Sequence, residues 1–308
     1  MNRFLAIILC SLVLQEPSWA NAGSVPRVAV LVSHDSPQSR QVLAGFQADF
    51  AEHDQKADFI VATLGGSAED AQEMVSGLRG ERIDLVFALG AQALESAGAL
   101  LTDIPVVASM VLNKEDISKY PNATGVSLAF SIEDQLDWLQ KILPQSRNIG
   151  VIYSSAENRE LVERASKIIK KSGLTLHQVQ IDSPGELTPA LKQLENRADV
   201  LWGLNDKMVL NKATAQSVLL FSLRNKIPFV GLSSAWVKAG AVYALEWDYQ
   251  DLGRQGAEMA RRILSGQRPA DVRVASPRAV QYSLNLKVAD RLKLDFPDHL
   301  LDNAVTVF

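Results

Sequence analysis

The sequence predicts an α/β protein of two doubly wound lobes, each a parallel sheet with helices on both faces. Three observations carry this expectation. Compact apolar runs suited to buried strands alternate with amphipathic helical patterns along most of the chain. The alternation pauses near Thr124-Gly125-Val126-Ser127 and then restarts, which gives two βα series of similar size. The 308 residues, 47% apolar and 21% charged, suffice for two domains that each bury a core.

In the first series, residues 27–32 read Arg-Val-Ala-Val-Leu-Val, a buried parallel strand. A polar loop from Ser33 to Pro37 follows, then a helix with Val42, Leu43, Phe46 and Phe50 on one face. Residues 59–64 are the second strand, and Ser67 is placed to cap a helix carrying Met74, Val75 and Leu78. Residues 84–89 form a third strand that ends at Gly90-Ala91-Gln92-Ala93, the start of another helix, and residues 104–110 a fourth. In the second series Gln135, Leu136, Leu139, Ile142 and Leu143 mark a helix that Pro144 ends. Strands are expected over 149–153, 174–181, 200–204 and 228–232, with helices over 157–171, 186–195 and 209–224 between them. A short helical turn over 233–238 ends at Gly240, an apolar run over 241–245 follows, and a strongly amphipathic helix carries Leu252, Met259, Ile263 and Leu264. Small Gly253, Gly256 and Ala260 suit that helix to close packing on a sheet. A turn over 266–271 and a strand over 280–286 complete the chain before a short tail.

The N-terminus stands apart. Arg3, an apolar run over 4–14, and Ser18-Trp19-Ala20 are the parts of an export signal, predicted to be residues 1–20. The apolar run is too short for a good transmembrane helix. Leu9 before Cys10 argues against a lipidation site, which would want a small residue there, and Cys10 is the one cysteine of the sequence. The expectation is an exported, periplasmic protein, soluble after cleavage near Asn21, without disulfide or thiol chemistry. Arg3 and Glu16 leave together, so the net charge stays at -4 and argues against a general nucleic-acid partner.

Ligands of parallel α/β sheets sit beyond the carboxyl ends of strands, where helix N-termini present free N–H groups. That rule selects Ser33, Asp35, Ser36, Gly90, Gln92 and Ser109 in the first series. In the second it selects Tyr153, Asn205, Asp206 and the loop from Ser233 to Trp236, with Ser127 and Glu246-Trp247 at the crossings between the two. Each has an ordinary structural alternative. Ser33, Asp35 and Ser36 are common caps and turn residues, Gly90 permits a tight turn, Asn205 and Asp206 can cap a helix, and both tryptophans can be packing. Trp138 and Trp202 are expected in the core. Enzyme signatures are weak. The four histidines lack metal-ligand spacing, and neither a Gly-x-Ser-x-Gly elbow nor a phosphate loop occurs. His34 beside Asp35 is a poor acid/base pair, because adjacent loop residues usually point apart. No metal or other cofactor is expected.

Val237-Lys238-x-Gly240-Ala241 followed by Asp248-Tyr249-x-Asp251-Leu252-Gly253-Arg254-Gln255 resembles the solute-binding components of ABC transporters, of the tryptophan or tyrosine uptake type. Thr124-Gly125-Val126-Ser127, Gln135-Leu136, Leu143-Pro144, residues 149–153, Ile227-Pro228-Phe229-Val230 and Asn285-Leu286-Lys287-Val288-Ala289 recur in the same order as in that family. The resemblance implies a periplasmic binding protein type 1-like fold, two lobes joined by a hinge that the chain crosses three times, near Ser127, Glu246 and Gln267. Lobe one would be 26–127 plus 247–266, and lobe two 128–246 plus 267–308. It implies capture of a small molecule between the lobes and delivery to an inner-membrane ABC permease, with no bond made or broken. In an amino-acid binder Asp206 would hold the ammonium and N–H groups the carboxylate. The chain departs from the family pattern at Leu128 and at Ser233-Ser234, where acidic residues are common, and at Lys207, where a neutral polar residue is usual. A periplasmic sensor presenting its closed form to a receptor or kinase, and a secreted hydrolase, are the alternatives.

Overall fold

The computed structural model describes residues 25–65 and 68–308. The expected export signal over 1–20, with Cys10, and the helix cap at Ser67 lie outside the described residues.

The first sheet is built from β1 (Arg27–Val32), β2 (Asp58–Thr63), β3 (Leu85–Leu89), β4 (Val106–Val111) and β5 (Ala123–Ser127), in the order β2-β1-β3-β4-β5 with every neighbour parallel. Its helices are α1 (Pro37–Glu52), α2 (Ala68–Gly77), α3 (Ala91–Leu100) and the short α4 (Lys114–Ser118). Residues 28–32 and 85–89 are buried throughout, as strands covered on both faces must be. α1 begins where Ser36 accepts the Ser39 N–H and Ser39 returns a bond to the Ser36 N–H, with Pro37 in the first turn. Phe46 of α1 stacks on Phe87 of β3 with ring centroids 3.9 Å apart.

The second sheet is larger. Its elements are α5 (Ile132–Ile142), β6 (Asn148–Ser154), α6 (Ser155–Lys171), β7 (Thr175–Ile181), α7 (Leu187–Leu194), β8 (Val200–Trp202), α8 (Ala215–Asn225), β9 (Phe229–Gly231), α9 (Ser234–Ala239) and β10 (Tyr243–Trp247). The chain then leaves for α10 (Tyr249–Leu264) and returns through β11 (Val280–Leu284), α11 (Leu286–Leu292), α12 (Asp298–Asp302) and β12 (Thr306–Val307). The order is β12-β11-β10-β9-β8-β6-β7. β11 runs antiparallel to β10, and β12 pairs parallel with β11. The reversal follows from direction: β10 carries the chain out of this sheet, and β11 brings it back in.

α10 packs on the first sheet, across β3, β4 and β5 and along α1. The contact with α1 is backbone to backbone. A Cβ on Gly253 would lie 2.0 Å from the Val42 carbonyl oxygen, and one on Gly45 2.0 Å from that of Gln250. Gly253, named in the sequence pattern, and Gly45, which was not, are therefore what lets these two helices touch. Arg261 of α10 reaches buried Asp49 of α1 at 2.8 Å.

Two local expectations are corrected. The helix expected over 209–224 begins only at Ala215. Ahead of it, Asp206 and Asn211 accept backbone N–H groups of Met208, Val209, Ala213 and Thr214, and these local bonds hold turns in place of a helix. The crossing expected near Gln267 comes later. Thr124 donates to the Val272 carbonyl, and Ala275 exchanges backbone bonds with Gly125 and Ser127, so the chain stays beside β5 through Ala275.

Candidate functional site

The carboxyl ends of β1, β3 and β4 bring Ser33, Gly90 and Ser109 together. The Ser33 hydroxyl accepts the Ala93 N–H at 2.9 Å in the first turn of α3, and the Gly90 N–H donates to the Ser109 carbonyl at 2.8 Å. Gly90 has φ +98°, and a Cβ there would meet the Ser33 hydroxyl at 2.7 Å, so this turn requires glycine. The Ser109 hydroxyl is fully buried without a hydrogen-bond partner. It is followed by Met110 at φ +60°, where the β4–β5 register shifts. Ser36 caps α1, Asp35 is exposed and pairs with Arg40 at 2.7 Å, and Gln92 is half-buried in the first turn of α3.

In the second lobe Asp206 is 1% exposed. One carboxylate oxygen accepts the Ser154 N–H at 2.6 Å, the Ser154 hydroxyl at 2.9 Å and the Asn158 amide at 3.0 Å. The other accepts the N–H groups of Met208 at 3.0 Å and Val209 at 3.1 Å. Burial pushes this carboxyl up, but the bonds from Ser154, Asn158 and Val209 outweigh burial and its net shift is downward. Five donors fill the lone pairs of a carboxylate. The expected salt bridge from Asp206 to a ligand ammonium is thus corrected: Asp206 fastens the loop after β8 to the start of α6. Asn205 next to it is exposed, and its carbonyl accepts the Asn158 amide at 3.1 Å. Tyr153 is buried in the apolar cluster that also holds Leu136, Val162 and Trp202. Ser233 precedes α9, and Trp236 lies edge-on to Phe229 at 5.7 Å as part of the packing.

The crossings are tied by Trp247. Its indole N–H donates to the Leu128 carbonyl at 2.8 Å, and its ring stacks on Phe130 at 5.5 Å. Ser127, fully buried, contacts the Ala275 carbonyl at 3.4 Å. Beside Trp247 is a cavity of about 380 Å³. Gln41, Asp248, Tyr249 and Gln250 come to it from α1 and the start of α10, Ser234 from the start of α9, and Glu246, Gln281, Ser283 and Thr306 from the second sheet. Its size falls within the range of small-molecule sites. The sequence reading touched this set at Ser234, inside the 233–236 loop, and at Glu246 and Trp247 of the crossing. Gln41, Gln281 and Ser283 escaped because they lie inside a helix or along strand β11, away from the strand-end loops. The antiparallel pairing of Glu246 with Gln281, which puts their side chains on one face, is invisible in a linear pattern. Half-buried Glu246 accepts from the Ser283 hydroxyl at 3.2 Å and from Ser234; burial raises its carboxyl, and these bonds offset that only in part.

Among the described residues no three of His, Cys, Asp and Glu gather into a metal-binding set. No helix of the described residues is long and apolar enough to cross a membrane.

The fold and most of its chain are shared with known proteins. The family described as ABC transporter substrate binding protein matches residues 27–308. A tyrosine-binding protein of Clostridioides difficile is 25% identical over 235 residues, 72% of this chain and 68% of that protein. The ligand-free, open structure of CD0873, a substrate-binding protein with adhesive properties from Clostridium difficile, superposes with TM-score 0.74 at 22% identity, covering 92% of this chain and 99% of that one. An ABC domain from Streptococcus pneumonia in complex with L-Trp gives TM-score 0.58 at 24% identity, over 92% of this chain and 100% of that one. These likenesses place the two lobes in the periplasmic binding protein type 1 fold, and the match over residues 27–308 shows that the chain belongs to the ABC transporter substrate-binding protein family.

Proposed function

We propose that the protein is the exported solute-binding component of an ABC transporter, which captures a small molecule between its lobes and hands it to an inner-membrane permease. The family membership over residues 27–308 is the observation that carries this reading. Two separately cored lobes joined through three crossings suit opening and closing about a hinge. The lobes we assign are 26–127 with 247–275 and 128–246 with 276–308, the first extended to Ala275 because that segment bonds along β5. An amino acid is the favoured solute, on the names of the tyrosine-binding relative and the L-Trp complex. Catalysis is no part of the proposal. The apolar N-terminal run before Asn21 supports export.

The test is a thermal-shift screen of the purified mature chain against amino acids, amines, sugars and nucleosides. A solute that binds only the folded form raises Tm by mass action, about 2.7 kcal/mol of added stability at a hundred times Kd. The reading expects one chemical class to give a saturable rise without being consumed. Turnover of the bound compound would move the protein to the hydrolase alternative.

A further inference from the structure

We infer that the cavity at the hinge is a recognition site for the cationic group of the solute, with Glu246 as its acceptor. This rests on the solute-binding reading and specifies the chemistry that the site selects.

Four observations support it. The cavity wall contains two carboxylates, Glu246 and Asp248, and no lysine, arginine or histidine. Both accept only neutral donors, and no cationic side chain of the described residues forms an ion pair with either. Asp248 is committed to the fold as the cap of α10, at the Asp251 N–H, and also accepts the Gln281 amide. Glu246, on β10, accepts the Ser283 hydroxyl and the N–H and hydroxyl of Ser234. A half-buried carboxylate without a counter-ion is an unfavourable arrangement that an incoming ammonium relieves. Finally, the cavity draws its walls from both lobes: Gln41 and the start of α10 on one side, β10 and β11 on the other. A cation held here bridges the lobes at the hinge, so its binding and closure are coupled. Trp247 and Tyr249 add aromatic surface beside the carboxylate, a setting that favours an amine attached to an apolar body.

Asp206, which the family resemblance nominates for this role, already accepts five internal bonds. Glu246 accepts three and stands in the cavity wall.

The experiment compares matched probes on the intact mature protein by calorimetry: L-tyrosine with 3-(4-hydroxyphenyl)propionate, tyramine with 4-ethylphenol, and putrescine with 1,4-butanediol. The expected result is that at least one amine binds and its amine-free counterpart binds at least tenfold more weakly. Glu246→Gln, which keeps the shape, should weaken that amine tenfold to a hundredfold and leave the unliganded Tm no lower. Glu246→Asp, which keeps the charge, should retain part of the affinity. Binding of no amine, equal binding within a pair, or an amine affinity unchanged within twofold in Glu246→Gln would each overturn the inference. If the wild type binds a sugar or nucleoside but no amine, this inference fails and the solute-binding reading stands. If it binds nothing in the full screen, both fail.

Discussion

Removing the charge of Asp206 should destabilise the unliganded protein. The carboxylate accepts five bonds converging from three places: two from Ser154 at the end of β6, one from Asn158 in α6, and two from the N–H groups of Met208 and Val209 in its own loop. In Asp206→Asn the new amide could orient in two ways. With its NH₂ toward Ser154 and Asn158, two or three bonds become donor–donor contacts; turned around, the Met208 and Val209 N–H groups lose their acceptor. Each buried donor left without a partner costs about 1–3 kcal/mol. Partial relaxation and non-additivity bring the expected loss for Asp206→Asn to about 2–4 kcal/mol. That corresponds to a fall in Tm of roughly 5–10 °C, measured by calorimetry without solute at pH 7. The pH dependence has a definite sign. The folded carboxyl is held below its ordinary value, so the unfolded chain binds the proton more readily. The stabilisation is complete above the ordinary aspartate pKa of about 3.9 and is lost as pH falls through the lowered folded value. The gap in Tm between wild type and variant should therefore close on acidification below about pH 4. Equal melting temperatures at pH 7 would refute the reasoning and return Asp206 to the candidate ligand contacts.

Two further substitutions probe the supports of the hinge. Gly253→Ala puts a Cβ against the Val42 carbonyl oxygen and the Phe46 nitrogen, both backbone atoms that cannot swing aside, so α10 must shift off α1; a loss of about 3 kcal/mol or more in urea unfolding is expected, and a loss under about 1 kcal/mol would show the contact to be loose. Trp247→Phe keeps an aromatic ring over Phe130 but deletes the indole bond to Leu128; about 1 kcal/mol of stability should go, with limited proteolysis rising in the 128–131 segment, and unchanged stability and proteolysis would mean that the bond does not hold the crossing.

Most of the fold was legible because its central strands are buried on both faces and several of its helices are amphipathic. Residues 28–32 and 85–89 allow little else than central parallel strands. What the linear pattern concealed was set by tertiary geometry. The antiparallel entry of β11 depends on where the chain comes from, not on the alternation of residues 280–284. The late start of α8 depends on side chains of Asp206 and Asn211 competing for backbone N–H groups. Several residues that the strand-end rule selected hold the loops together: Ser33 on α3, Ser36 on α1, Asp206 on the β6–α6 turn. The cavity residues Glu246, Gln281 and Ser283 share a face only through strand pairing. A reading that paired the apolar run at 241–245 with the alternating run at 280–284 would have brought them together.

The central claim is capture of a solute by closure of two lobes about three crossings. Solution X-ray scattering on the mature protein, alone and saturated with the solute that gives the largest thermal shift, tests it most directly. The account predicts a smaller radius of gyration in the saturated sample, since only the closed form contacts the solute from both sides. Superimposable curves at full occupancy, verified by calorimetry on the same samples, would contradict it.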